Sequence, residues 1–429
     1  GWVDAGGMEY NNEDNAPLYA TYFFGPNDTT TVNGVTYTGG AMVTGWYNYL
    51  DGIDIYDDEG DESLWFYFNT STGKKEVNKE KRIGSLYYHF DLNGVMDSGW
   101  TEVATQGGVA TDSRYYSGSE QGWKQRNTWV WAVPSLELND VDYENDQYRW
   151  FYVGSTGRPT INQARRINSK WYIFDEDGIM RSGLVVLDAN RIGTDAKLDK
   201  NYGYGDGLEG TGRISTEAAD AEYIKSLPNN GEDSKGNSVL NLYYFSNDEE
   251  NDGAMKTGTN VRIDLADGTY TFGFAKNGQA YHGVNNKKLY NHGILLDGGD
   301  MRYDVATIDD VDDHDAIWYV VGPTGTFASN NSTVKDADDN YYAVVGGYIF
   351  KVPADDYASR IARAIVNIGR YDDPSGVYAG GSMDGTHEVP SGSEWYIKVG
   401  TDEYIPVDYD KVYRSSYDVT IKNGEGLGV

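Results

Sequence analysis

YYHFDLNGVMDSGW, residues 87–100, places three aromatic residues before an Asp-Leu-Asn-Gly sequence and ends on Gly and Trp. Aromatic residues favour strands. Asp, Asn and Gly favour a tight turn, because glycine accepts positive φ and an Asp side chain bonds nearby backbone N–H groups. The stretch therefore predicts a strand over residues 86–90, a turn at 91–94, and a returning strand that begins within VMDSGW.

The same phrase returns as WYIFDEDGIMRSGL at residues 171–184. The longer segments 65–100 and 150–184 align at an offset of 84 residues, which indicates an internal duplication. The opening tryptophans break the offset by one residue, because Trp65 aligns with Arg149 rather than with Trp150. The identical pairs are Ser71/Ser155, Thr72/Thr156, Gly73/Gly157, Arg82/Arg166, Ile83/Ile167, Tyr88/Tyr172, Phe90/Phe174, Asp91/Asp175, Gly94/Gly178, Met96/Met180, Ser98/Ser182 and Gly99/Gly183.

Weaker copies of the phrase lie at residues 39–46, 243–258, 270–283 and 318–325. A single two-stranded hairpin is not stable in water, whereas stacked hairpins are, because each covers the apolar face of the next. The sequence therefore predicts an all-β fold: a β-hairpin repeat solenoid with long inserts, followed by a mixed, mainly-β module with one short helix.

The composition changes along the chain and predicts four segments. Residues 1–190 carry hairpin repeats, 191–240 form an irregular insert or linker, 241–300 carry further degenerate repeats, and 301–429 form the C-terminal mainly-β module.

Two stretches have helical periodicity. The first is 215–227, where Ser215 or Thr216 is the expected N-cap and Tyr223, Ile224 and Leu227 share a face. The second is 354–368, which begins just after Pro353.

The formal net charge of −32 argues against nucleic acid and anionic membrane surfaces as partners. No run of 18 apolar residues is present, so the sequence predicts no membrane span. The absence of cysteine suits a secreted bacterial protein without disulfides. Because the chain opens on Gly1-Trp2 without Met, we expect it to be a piece of a longer extracellular protein.

The pattern W/Y-Y-x-F-D-x-x-G-x-M-x-x-G-W resembles the choline-binding or cell-wall-binding repeat of Gram-positive surface proteins. The same broad group includes the glucan-binding repeats of glucansucrases and the repeats of large clostridial toxins. The matching residues are Trp171-Tyr172, Phe174-Asp175, Gly178, Met180 and Gly183 in one copy, and Tyr87-Tyr88, Phe90-Asp91, Gly94, Met96 and Gly99-Trp100 in the other. The copies depart from the family pattern in their long inserts and in the final Trp, which is Leu184 in one copy and Thr259 in another.

The resemblance implies a hairpin solenoid that binds choline or sugar units in shallow aromatic sites between neighbouring hairpins. It implies these binding residues: Trp46, Trp65, Tyr88, Trp100, Trp150 and Trp171. Flat rings can stack on a pyranose or surround a quaternary ammonium. The alternative for each ring is that it only packs one hairpin on another.

Acidic clusters at 54–62, 247–253 and 309–315 raise the possibility of calcium, which prefers oxygen ligands. The candidate ligands are Asp57, Asp58, Asp248 and Asp252. None of the clusters has EF-hand spacing, and solvated loops are the alternative interpretation. No other cofactor is indicated.

The sequence carries no cysteine nucleophile and no G-x-S-x-G, H-E-x-x-H or P-loop motif, and so predicts a protein that is not an enzyme. We expect an extracellular attachment module that binds cell-wall glycopolymer or extracellular glucan. Two alternatives remain open: a structural stalk or protein-binding spacer, and a carbohydrate-active enzyme with its site in residues 301–429.

Overall fold

The computed structural model describes residues 1–10, 16–25, 30–32, 35–37, 40–49, 64–104, 111–247, 253–308, 316–345, 347–352, 362–363, 377–379, 395–399, 403–407 and 412–415. They fall into two units. The first consists of Gly1–Arg165 and Tyr172–Arg181, and the second of Arg166–Trp171 and Ser182–Val429.

The described residues up to 181 form short antiparallel strands and two short helices. In order these are β1 Trp2–Val3, α1 Ala16–Tyr19, β2 Tyr22–Phe23, β3 Thr30–Val32, β4 Val35–Tyr37, β5 Gly45–Tyr49, β6 Leu64–Phe68, β7 Lys79–Ile83, β8 Leu86–Phe90, β9 Gly99–Ala104, β10 Thr111–Tyr116, β11 Thr128–Ala132, α2 Asp140–Glu144, β12 Arg149–Val153, β13 Gln163–Ile167, β14 Lys170–Phe174 and β15 Met180–Arg181. The strands pair as β1–β2, β3–β4, β5–β6, β7–β8, β9–β10, β11–β12 and β13–β14–β15.

The chain after residue 181 is also mainly β. Its elements are β16 Gly183–Val186, β17 Arg213–Ile214, α3 Ala221–Ser226, β18 Gly231–Glu232, β19 Ser238–Val239, β20 Leu242–Phe245, β21 Gly258–Leu265, β22 Gly268–Phe274, β23 Gly283–Asn285, β24 Lys288–Asn291, β25 Ile294–Leu296, a 3₁₀ turn Gly299–Met301, β26 Asp304–Ala306, β27 Tyr319–Val321, β28 Ser332–Lys335, β29 Tyr341–Val345, β30 Tyr348–Val352, β31 Val377–Ala379, β32 Trp395–Val399, β33 Glu403–Val407 and β34 Val412–Arg414. The largest sheet has the order β21-β22-β25-β24-β23.

Strand β8 pairs with the strand before it rather than with the segment after the Asp-Leu-Asn-Gly turn. All of β8 pairs with β7, across a two-residue turn in which Gly84 has φ 61°. Between β8 and the segment that follows the turn, residues 95–100, one bridge forms, from Phe90 to Met96. Strand β9 pairs with β10 instead. The predicted pairing of a returning strand with β8 is therefore wrong for this copy: β9 begins at Gly99, which has φ 66°, and all of its residues pair with β10.

The second copy keeps more of the predicted hairpin. Strand β14 follows β13 across a turn at residues 168–169, and on its other side it pairs with β15. The return consists of two pairs, Phe174 with Met180 and Ile173 with Arg181. Here the predicted strand forms, but it is two residues long.

The Asp-x-x-Gly turn itself is confirmed in both copies. Asp91 Oδ1 accepts hydrogen bonds from the backbone N–H groups of Asn93 and Val95 at 2.8 and 2.7 Å. Gly94 has φ 84° and donates to the Asp91 carbonyl at 3.1 Å. Asp175 organises the second copy in the same way, so the sequence dictates this turn locally.

The residue two positions after a turn glycine is called here the return position, and in several copies its backbone N–H connects one repeat to the previous one. Met96 N–H donates to the Trp65 carbonyl at 2.8 Å, and Lys124 N–H donates to the Tyr87 carbonyl at 2.7 Å. Met255 N–H donates to the Trp171 carbonyl at 2.8 Å in the same way. These backbone bonds place the return positions where the hairpins touch.

Return-position side chains also lie under the turn of the following repeat. A Cβ on Gly94 would lie 2.9 Å from Lys75 Cδ, and one on Gly157 would lie 2.8 Å from Lys124 Cγ. At Gly122 a Cβ would overlap the side chain of Met96. Glycine is therefore required at these turn positions for two reasons: the backbone has a positive φ, and a side chain of the neighbouring repeat fills the space that a Cβ would occupy.

The helix predicted at residues 215–227 is shorter than expected. It runs from Ala221 to Ser226, and Asp220 rather than Ser215 or Thr216 is the N-cap, with its carboxylate accepting from Tyr223 N–H at 2.7 Å. The backbone of Asp220 is extended, with φ −91° and ψ 173°, so the helix begins only after it. Of the second predicted helix, 354–368, all but residues 362–363 lies outside the described ranges.

Candidate functional site

Two groups of aromatic side chains occupy equivalent places in the duplicated repeats. The first cluster, on β5, β6 and β8, consists of Trp46, Trp65, Tyr67, Tyr88 and Phe90. The second cluster, on β11, β12 and β14, consists of Trp129, Trp150, Tyr152, Tyr172 and Phe174.

The two clusters have nearly the same geometry. Trp46 and Trp129 are the hubs, and each lies 4.8 Å from the following Tyr ring at 70°. In the first cluster the ring of Trp46 lies 6.2 Å from Trp65, 5.1 Å from Tyr67 and 5.9 Å from Phe90. In the second cluster the ring of Trp129 lies 6.3 Å from Trp150, 5.3 Å from Tyr152 and 5.9 Å from Phe174. Most of these contacts are edge-on, the arrangement that the ring quadrupole favours. The duplication therefore extends from the sequence to the placement of the rings.

The outer rings of each cluster keep contact with solvent. The tryptophans of both clusters are half-buried, whereas Tyr88, Phe90, Tyr172 and Phe174 are buried. The indole N–H groups of Trp65 and Trp150 are buried and have no hydrogen-bond partner among the described residues. Each cluster thus has a packed inner half and an outer half formed by two indole rings.

A cation of the chain lies over one tyrosine in each cluster. Lys81 Nζ is 5.6 Å from the centre of the Tyr67 ring, and Arg165 Cζ is 4.8 Å from that of Tyr152. Glu76 forms an ion pair with Lys81, while Arg165 donates to a threonine hydroxyl at the equivalent position. Both clusters therefore use one ring face to hold their own cation.

Two carboxylates of the first unit, those of Glu76 and Glu80, stay ionised. Burial raises the pKa of Glu76, but hydrogen bonds from Lys79, Lys81 and an asparagine outweigh it and leave the pKa lowered. Burial likewise raises the pKa of Glu80, and the hydrogen bond and charge of Lys124 bring it below its usual value. The ion pair with Glu76 holds Lys81 over Tyr67 in the first cluster, whereas Lys124, which pairs with Glu80, lies over the ring of Tyr87 outside it.

Four of the six residues implied by the resemblance lie in the clusters: Trp46, Trp65, Tyr88 and Trp150. Trp100 does not; it packs edge-on against Tyr115 at 5.0 Å and against Phe151 at 4.9 Å. Trp171 is also not one of the cluster rings, and its carbonyl accepts the Met255 N–H.

The sequence reasoning missed Trp129, the hub of the second cluster. Trp46 follows a glycine, as the repeat pattern requires, whereas Trp129 follows Thr128. The available signal is the order of the rings rather than an equal spacing: Trp129 precedes Trp150 by 21 residues and Trp46 precedes Trp65 by 19, each ahead of an aromatic strand. The one-residue slip in the alignment hid this correspondence.

The calcium candidates Asp57, Asp58, Asp248 and Asp252 all lie outside the described residues. Within the described ranges, no three His, Asp or Glu side chains come together as a metal site would require. None of the helices in those ranges has the length and apolar character needed to cross a membrane.

No family model matches the chain. Among curated proteins, it is 24% identical over 269 residues to Glucosyltransferase-S of Streptococcus mutans serotype c. The match covers 59% of this chain, which spans about 15% of the length of that relative.

Three similar solved structures come from Streptococcus pneumoniae. CbpJ is 16% identical, with 73% of this chain and 96% of CbpJ covered and a TM-score of 0.37. Choline binding protein F, in the presence of a peptidoglycan analogue, is 17% identical, with 73% and 89% covered and a TM-score of 0.37. The modular autolysin LytC, in complex with a synthetic peptidoglycan ligand, is 14% identical, with 69% and 50% covered and a TM-score of 0.25.

The chain resembles choline-binding repeat proteins. The resemblance stated from the repeat motif is thereby confirmed, and the similar proteins also include an autolysin and a glucosyltransferase. The candidate site is defined by this chain's own residues.

Proposed function

We propose that this chain is a non-catalytic, extracellular attachment module of a Gram-positive surface protein, and that it binds cell-wall glycopolymer or glucan at the two aromatic clusters. The observation that carries the proposal is the pair of half-buried tryptophans that recurs in each cluster with nearly the same spacing. Rings that served only to pack the hairpins could be buried completely, as Phe90 and Phe174 are.

The chemistry of the clusters favours an uncharged sugar over choline. An exposed indole face stacks on the apolar face of a pyranose. A quaternary ammonium needs several ring faces free of other cations, but Lys81 and Arg165 already lie over a tyrosine in each cluster. We therefore propose neutral pyranose units as the ligand of the clusters.

The contacts at the return positions support a solenoid as the frame for these sites. Lys75, Met96 and Lys124 each donate a backbone hydrogen bond to the repeat before, to the carbonyls of Thr21, Trp65 and Tyr87. Repeats that contact only their neighbours build a quasi-one-dimensional array. We propose that the repeats of segments 1–190 and 241–300 form such an array, with 191–240 as an insert and 301–429 as a separate module.

Binding would combine several weak stacking contacts along one polymer. Linked weak sites gain roughly 10²–10⁴ in overall affinity over one site alone. A polymer with repeated sugar units would therefore bind well, whereas a single monosaccharide would bind weakly at each cluster.

Pull-down on purified Gram-positive cell walls and on insoluble glucan tests the proposal. We expect the intact chain to sediment with at least one of these polymers. We expect Trp65→Ala combined with Trp150→Ala to reduce the bound fraction at least about tenfold, because one indole face is lost from each cluster. Both tryptophans lie on the outer half of their clusters, so far-UV circular dichroism should keep its shape.

Tyr19→Ala combined with Tyr143→Ala is the matched control. These tyrosines are 65% and 49% exposed and lie in neither cluster, so their loss should leave binding unchanged. Equal losses in both double variants would contradict the site. If the intact chain stays in the supernatant with every polymer, that result supports the structural spacer. If the chain releases reducing sugar from a polymer, that result supports an enzyme with its site in residues 301–429.

A further inference from the structure

A groove of about 740 Å³ lies in the second unit, and none of its lining residues belongs to the two aromatic clusters. One wall is the tip of the β18–β19 hairpin, residues 233–239, which belongs to the segment predicted as an irregular insert. The other wall is the segment 275–285, which follows β22, and Ile308 and Tyr319 complete the lining. The volume suits a short saccharide, since small-molecule sites usually measure roughly 300–1,000 Å³.

Hydrogen bonds hold the hairpin wall in place. Asp233 Oδ1 accepts from Lys235 N–H at 2.7 Å and from Asn237 N–H at 3.0 Å, and Oδ2 accepts from the Asn237 amide at 2.9 Å. This is the same turn as at Asp91, here placed in an insert. The loop therefore presents its side chains from a defined backbone.

The floor of the groove ties the two walls together. Gln279 is 3% exposed and donates through its amide to Asn241 Oδ1 at 2.8 Å and to the Glu232 carbonyl at 3.3 Å. Because Glu232 belongs to β18, this buried amide fixes the hairpin against the repeat that contains Gln279. A groove whose walls are joined in this way loses little entropy when it binds a ligand.

The charge of the groove is opposite to that of the chain. Lys235 stands on one wall and Lys276 on the other, both are exposed, and neither makes an ion pair with another described residue. The carboxylate in the lining, that of Asp233, is occupied by its own turn. Asp233 keeps its negative charge beside Lys235, so the two lysines leave the groove with one net positive charge in a chain of net charge −32, which provides a counter-charge for an anion.

The remaining lining side chains are those that recognise sugars. Asn237 and Asn277 offer amide donors and acceptors for hydroxyl groups, and Tyr281 offers a half-buried ring. We propose that this groove binds an acidic saccharide, with its carboxylate or phosphate between Lys235 and Lys276 and its hydroxyls on the amides. The site is separate from the aromatic clusters and does not depend on their function.

Titration of the intact chain with glucose, glucuronate and glucose 6-phosphate at low ionic strength, by saturation-transfer-difference NMR, tests this proposal. We expect at least one of the acidic sugars to bind about fivefold or more tightly than glucose. We expect the preference to shrink in 0.5 M salt, because the ammonium groups are exposed and salt screens them. Whichever acidic sugar binds more tightly identifies the anionic group as carboxylate or phosphate.

Lys235→Ala combined with Lys276→Ala should abolish the preference for the acidic sugars. Lys197→Ala, an exposed lysine of the same insert that is not part of the lining, should leave it unchanged. Equal binding of glucose and both acidic sugars, or a preference that survives the double variant, would overturn the proposal. Inorganic phosphate that competes as well as the sugar phosphate would show an anion site without sugar recognition and would also overturn it. Trp65→Ala with Trp150→Ala should not change this titration, so failure here and failure of cell-wall binding can be told apart.

Discussion

His292 occupies the first position of the two-residue turn between β24 and β25, with φ 44°. Its ring is buried and stacks on the ring of His282, with centroids 4.7 Å apart. Burial, and then the neighbouring His282, lower the pKa of His292 from its ordinary value of 6.5 to about 3. The folded chain therefore keeps this imidazole neutral at pH values where an unfolded chain would protonate it.

This difference predicts that the second unit loses stability as pH falls from 6.5 toward 3. In this range the unfolded state binds a proton that the folded state does not bind. The free energy of unfolding therefore decreases as the pH falls, and at pH 5 it is about 2 kcal/mol lower than at neutral pH. His292→Asn should remove most of this slope, because Asn does not titrate and tolerates positive φ. Urea unfolding at pH 7 and pH 5, for the natural chain and the variant, measures both slopes; equal slopes would contradict the assignment.

The sequence motif identifies some of the residues that lie in the aromatic clusters and also residues that lie outside them. Trp46, Trp65 and Tyr88 were predicted from a pattern, and they lie together in the first cluster. Trp100 matches the same pattern, but it packs against Tyr115 because β9 pairs with β10. A motif therefore identifies the type of ring, whereas strand pairing decides which rings meet.

At the scale of the element, the Asp-x-x-Gly turn is the most predictable feature of the chain. It recurs at Asp91, Asp175, Asp233 and, without glycine, at Asp336. Every bond of the turn lies within five residues, so short-range sequence suffices to specify it. The partner of the strand before it is not specified locally, and that is where the prediction for β8 was wrong.

Asp175→Ala should destabilise the chain by about 2 kcal/mol, because backbone N–H groups of residues 177 and 179 lose a charged acceptor. The same substitution also leaves Arg181 without its ion pair. Glu176→Ala, on an exposed side chain in the same turn, is the control and should cost less than about 0.5 kcal/mol. Urea unfolding followed by circular dichroism compares the two, and equal losses would show that the carboxylate does not hold the turn.

At the scale of the whole molecule, stability is distributed over several small cores rather than one. In the first unit, one core is built on Phe66 and Phe68, another on Tyr88 and Phe90, and a third on Phe151. In the second unit, a larger core joins β16, β20 and the β21–β25 sheet. Damage to one core should therefore remain local, as expected for repeats that contact only their neighbours.

Phe151→Ala tests this expectation within the first unit. Phe151 is fully buried, so the substitution should cost about 3–5 kcal/mol locally. Hydrogen exchange should accelerate in β11 and β12, residues 128–132 and 149–153. It should also accelerate in residues 99–104, because Trp100 packs on Phe151. Exchange in residues 64–83 should change little. Tyr148→Ala, on a 52% exposed ring, is the control; uniform loss of protection across the unit would indicate a single cooperative core instead.

The amino-acid sequence by itself determined the strand-rich composition, the duplication and the Asp-x-x-Gly turns, because each depends on residues a few positions apart or on direct repetition. It also indicated the similarity to choline-binding repeats. Only the tertiary structure decided that β8 pairs with β7, that Trp129 is the hub of a second cluster, and that the insert hairpin and residues 275–285 enclose a groove with two lysines. Those features depend on hydrogen bonds and packing between residues far apart in the chain, such as Gln279 with Asn241, which local pattern does not encode.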